Sequence, residues 1–164
     1  MALSRHEGDL QVTGNFVSKT MSLPAGCVEA DDIEANAGIE ASKLQHRHQP
    51  TFAQPNTAAA DETRMVHVVY GTTGSIIAFK AGSIAKAVGD AITTVDLKVN
   101  GASVLSAVVT LDNANTNRVA ESGTVTTPAL VVGDVIEVVV DGTIGTGTLP
   151  TGVFASVVIN EDAQ

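Results

Sequence analysis

Hydrophobic positions are spread unevenly along the chain, and the division falls near Arg64. The residues before it are polar, short of apolar periodicity and punctuated by Pro24, Pro50 and Pro55. After it, Val, Ile, Thr and Ala recur in alternation, cut at short intervals by Gly, Asn and Asp. A period of two marks strands with one buried face. The pattern predicts strands over Met65–Tyr70, Ser75–Lys80, Thr93–Asn100, Ser103–Leu111, Arg118–Thr126, Val135–Asp141 and Val153–Asn160, and one short helical turn within Ala81–Asp90. Val95, Leu97 and Val99 should face inward, with Thr94, Asp96 and Lys98 outward. Ile136, Val138 and Val140 should likewise be buried, with Glu137 exposed. Asn100-Gly101 is a hairpin signal, because both residues tolerate the positive φ of a type I′ turn. Pro128 limits the strand before it. Short strands at a spacing of roughly ten residues indicate an all-β antiparallel sandwich. The jelly roll is the topology chosen here, although periodicity by itself does not separate it from other sandwiches.

The first part of the chain reads as an extended N-terminal arm. Leu10–Val17 is a sparse extended piece. Over residues 31–44 a short helix is expected: Asp31 or Asp32 can cap it, and Ile33, Ala37, Ala41 and Leu44 fall on one stripe. Gly38 weakens its middle by about 1 kcal/mol, so it should be stable only when docked. Gln45–Asp61 reads as a linker with two prolines. The expected organisation is an arm over residues 1–60 and a β-domain over 61–164.

Aromatic residues are only 3% of the chain, so its 44% hydrophobic content is largely Ala and Val and suits thin β-layers. The net charge is −9: seven acids and four bases up to residue 60 give −3, and eleven acids and five bases after it give −6. Such a surface repels phosphate, which argues against nucleic acid and anionic membranes as partners. Cys27 is the single cysteine, so neither an internal disulfide nor a cysteine-based zinc site is available, in keeping with a reducing cytoplasm. The amino terminus lacks the basic-then-apolar pattern of a secretory signal, and no window approaches the roughly 18 apolar residues of a membrane span.

Candidate chemistry is sparse. His46 and His48 could share a cation in an extended chain, but zinc needs three or four ligands and no nearby carboxylate is spaced to complete the set. The expected role is a polar linker touching a neighbouring subunit, with coordination on a trimer axis as the alternative. Cys27 has no base placed to activate it. The loop from Gly142 to Thr148 lacks the Lys-Ser/Thr ending of a phosphate-binding loop and has no helix after it. Asp112, Asp134 and Asp141 lie in turns, where Asp serves backbone geometry. No catalytic residue, cofactor site or metal site is assigned.

Residues 33–44 (IEANAGIEASKL) resemble a string frequent upstream of β-domains in tailed-bacteriophage virion proteins. The second half is similar to phage virion domains at Thr94–Gly101 (TVDLKVNG), Ser103–Leu105, Val109–Asp112, Gly133–Val139 (GDVIEVV) and Gly145–Gly147. Similar strings occur in capsid decoration (cement), head fibre and tail fibre proteins. The resemblance implies a non-enzymatic structural protein on the outer capsid surface, made in the host cytoplasm, with a trimeric jelly-roll body. Its partners would be the major capsid protein and itself. On that reading Phe16, Val17, Ile33, Ile39 and Leu44 are candidate capsid anchors. Val104, Val108, Val135 and Val139, apolar residues expected on solvent faces, are candidate subunit contacts. The rival readings are a head or tail fibre that binds a host glycan or receptor, which should display aromatic platforms, and a virion-associated hydrolase.

Overall fold

The computed structural model describes residues 45–162, which belong to one compact unit. The helix expected over 31–44, Cys27 and the anchors Phe16, Val17, Ile33, Ile39 and Leu44 lie outside the described residues. Within them the protein is all-β, and no helix is long and apolar enough to cross a membrane.

Eleven strands follow in order: β1 (His46–His48), β2 (Thr51–Ala53), β3 (Glu62–Val68), β4 (Thr73–Ala85), β5 (Ile92–Val99) and β6 (Ala102–Ser103), then β7 (Val109–Leu111), β8 (Ala120–Gly123), β9 (Ala129–Val131), β10 (Val135–Thr143) and β11 (Thr151–Glu161). They form two sheets in which every pairing is antiparallel. In the first, β1 and β2 lie end to end along β11, β11 pairs β4, and β4 pairs β8 and β9. In the second, β3 pairs β10, β10 pairs β5, and β5 pairs β6 and β7.

The core lies between the inner faces and follows the alternation in sequence. Val95 and Leu97 on β5 and Ile136, Val138 and Val140 on β10 are fully buried. On β11 the inward series is Val153, Ala155, Val157 and Ile159, and it runs on to Glu161. The turn between β5 and β6 has φ of 51° at Asn100 and 81° at Gly101, the left-handed pair that a two-residue hairpin with right-handed strand twist requires.

Four expectations are corrected. Ala81–Asp90 holds no helical turn, because β4 continues through Ala85 to match the full length of β11. Ser103–Leu111 is two short strands, and between them the chain dips so that Val104 and Leu105 both enter the core. Val104, 4% exposed, is therefore a core residue and cannot offer a free subunit contact. Asp96, expected outward in solvent, is covered and accepts a hydrogen bond from Ser103 Oγ at 2.7 Å.

The fourth correction moves the domain boundary. Residues 46–53 are not linker: β1 and β2 are strands of the first sheet, in register with β11. Phe52 is 2% exposed and sits in the core. Pro50 and Pro55 disguise these strands because proline is excluded from central strands but tolerated at an edge. Pro50 itself accepts the amide of Val157 at 3.1 Å through its carbonyl, and the Gln54 amide donates to Val153 at 2.8 Å.

Candidate functional site

The rim where β1 and β2 of one sheet meet β3 of the other is lined by polar and charged side chains. Its members come from inward positions at strand ends. His46 pairs with Glu161 and His48 with Ile159, so both histidines share the inner face of the first sheet. Facing them, His67 pairs with the buried Ile136, which points His67 inward from β3. Glu161 closes the inward series of β11 and is 3% exposed.

A buried carboxylate needs hydrogen-bond donors, and Glu161 has them. Its Oε2 accepts the Tyr70 amide at 3.0 Å and the Gly71 amide at 2.8 Å. Its Oε1 meets His67 Nε2, an ion pair across the two sheets when His67 is protonated. Burial by itself pushes the Glu161 carboxyl up, but the His67 hydrogen bond and the two amides outweigh it, and the net direction is down. Glu161 is thus held as a carboxylate. Gly71 is required here because a Cβ would collide with the Asp162 carbonyl.

The His48 ring stands 5.1 Å from that of His67, centroid to centroid, at a tilt of 35°. His46 stacks alongside His48 at 6.4 Å. One donor atom each from His48, His67 and Glu161 lie within 4.8 Å of one another, and among the described residues no other group of three or more His, Cys, Asp or Glu converges in this way.

Further along the same rim, Gln54 Nε2 donates to the Ala60 carbonyl at 2.6 Å and to Glu62 Oε2 at 3.2 Å. Arg64 pairs with Glu62 and lies over the Phe52 ring. This half ties the β2–β3 connection down and seals the core.

The sequence singled out His46 and His48 as a pair. The structure instead joins His48 to His67 and Glu161, which sequence reasoning missed. The signal for Glu161 was present, since extending the β11 alternation by one inward position reaches it. His67 carries no comparable mark. The subunit-contact candidates do not gather: Val135 and Val139 are half-buried on the outer face of the second sheet, Val108 is 40% exposed in the β6–β7 connection, and Val104 is in the core. Asp112 and Asp134 serve backbone geometry, accepting the amides of Ala114 and Val131 at 2.8 and 2.9 Å. In the glycine-rich loop, the Thr146 amide and hydroxyl both donate to Asp90 Oδ1, so these donors already face a carboxylate.

No family model matches the chain, and no curated protein matches it significantly.

Proposed function

We propose that this chain is a non-enzymatic structural protein of a tailed-bacteriophage virion, a capsid decoration protein with a jelly-roll body. The observation that carries the reading is the strand order. Counting β1 with β2, β6 with β7, and β8 with β9 as interrupted single strands leaves eight, four to a sheet. The chain then visits the sheets in the order first, second, first, second, second, first, second, first, as two Greek keys wound together do. Jelly rolls recur in viral shells. The strings that resemble phage virion domains fall on β5 and its turn, on β7 and at the start of β10.

The chain enters this body at the rim, where residues 1–44 lead directly into edge strand β1. An arm so placed could reach neighbouring major capsid subunits while the body sits on the shell, and three tethered arms would bind together with a gain from multivalency. Trimerisation would use Val135 and Val139 on the outer face of the second sheet. The fibre reading, binding to a host glycan or receptor, finds less support. Phe52 and Phe79 are buried, Phe154 is half-buried, and Tyr70 is the one strongly exposed ring among the described residues.

The test is co-sedimentation of full-length protein and a chain lacking residues 1–44 with undecorated capsids, with light scattering on both. Trimers and loss of attachment on truncation are expected. Attachment of the truncated chain at full occupancy overturns the arm's role, and a monomer at high micromolar concentration overturns the trimer.

A further inference from the structure

We propose that His48, His67 and Glu161 form a binding site for one divalent transition-metal ion, zinc being the best fit, which staples edge strand β1 to both sheets. The inference stands apart from the virion reading and does not depend on it.

The donor set comes first. Two imidazole nitrogens and one carboxylate oxygen are a borderline set that suits zinc and its first-row neighbours, whereas calcium and magnesium prefer oxygen throughout. The three donors come from β1, β3 and β11, brought together by the pairing of β1 with β11 and the packing of the sheets. Zinc bonds of about 2.0–2.2 Å place tetrahedral ligand atoms roughly 3.4 Å apart. The donors here already lie within 4.8 Å of one another, so side-chain rotation can close the set without moving a strand.

The supporting contacts suit a metal as well. Two backbone amides fix Glu161 Oε2 and leave Oε1 directed at His67 Nε2. Outer hydrogen bonds of this kind orient a ligating carboxylate and keep it ionised. The ion would take the place of the proton between His67 Nε2 and Glu161 Oε1. His67 would then bind as the neutral imidazole with its proton on Nδ1, and any additional proton would pass to solvent. His48 is half-buried on an edge strand, so its ring has room to turn toward the ion. A fourth position remains for water or for His46, whose ring stacks on that of His48. Because β1 is only three residues long, its single edge pairing holds it weakly. A metal ligand in its last residue would fix the strand that follows residues 1–44.

The test uses the full-length chain stripped with EDTA and dialysed, then titrated with Zn²⁺ by calorimetry and with Co²⁺ by visible absorption. The expected result is one Zn²⁺ per chain with Kd of about 1 μM or tighter, and a Tm rise of about 10 °C at a hundredfold excess over Kd. Co²⁺ should show the intense absorption of a four- or five-coordinate site. His48→Asn, at a half-exposed edge position, should stay folded and lose the site, whereas His46→Asn should keep one equivalent. His67→Gln should also lose binding, and if that variant does not fold, His48→Asn decides. No saturable binding tighter than about 100 μM overturns the proposal. Binding that survives His48→Asn but is lost in His46→Asn also overturns it, since the ion would then be held by His46 without the ring assigned here as its ligand.

Discussion

Arg64 lies over the ring of Phe52, with its guanidinium carbon 5.0 Å from the ring centroid. The pair joins β3 of the second sheet to β2 of the first, and beneath it Phe52 fills the core. Removing the ring leaves a cavity at the rim, so Phe52→Ala should cost about 3–5 kcal/mol, while Arg64→Ala should cost up to about 1 kcal/mol. The same relationship sets where the chain can be cut. Deleting residues 1–44 should leave the urea midpoint of the body nearly unchanged. Deleting residues 1–60 removes β1, β2 and Phe52 and should abolish cooperative unfolding. Equal stability of the two truncations would show that β1 and β2 add nothing to the body.

Glu161→Ala removes the carboxylate that meets His67 and accepts the part-buried amide of Tyr70 and the buried amide of Gly71. In EDTA, where no metal contributes, we expect a loss of about 2–4 kcal/mol in urea unfolding. Glu161→Gln retains an acceptor for the amides and should lose less than half as much. A neutral alanine variant would mean that water replaces all three contacts.

Thr93 is fully buried, and its Oγ1 has no hydrogen-bond partner. An unpaired buried hydroxyl carries its desolvation cost without return, and valine has the same shape. Thr93→Val should therefore stabilise the protein by about 1 kcal/mol, seen as a higher Tm. A destabilised valine variant would place a bound water on that hydroxyl.

Asp90 ties the β10–β11 loop to the turn before β5 through Thr146. The side-chain hydrogen bond from Thr146, then its backbone amide, hold the Asp90 carboxyl below its ordinary value of 3.8. A depressed carboxyl contributes stability that is fully present above the unfolded value and is lost as pH falls through the lower folded one. The Thr146 amide should accordingly be protected from hydrogen exchange at neutral pH and lose that protection only below 3.8. In Asp90→Ala it should be unprotected throughout. NMR titration of the Asp90 carboxyl with a midpoint at or above 3.8 would refute the tether.

The sequence by itself determined the two-layer β-architecture, because each long strand carries its own burial pattern. Val95 and Leu97, the Ile136–Val140 series and the Val153–Ile159 series announce their inner faces residue by residue. The Asn100-Gly101 turn was legible for the same reason, as its conformation depends on those two residues alone. Tertiary structure decided what depends on partners distant in the chain. β1 and β2 are too short to show a period, and they exist as strands because β11 offers them an edge. An unbroken strand over Ser103–Leu111 puts Val104 on the solvent face, whereas the break after Ser103 turns it inward. His67 and Glu161 are 94 residues apart, and no local signal couples them. They meet because closing two sheets over one core brings the ends of β3 and β11 to the same rim, where the inward positions run out of apolar residues and the remaining side chains must satisfy one another.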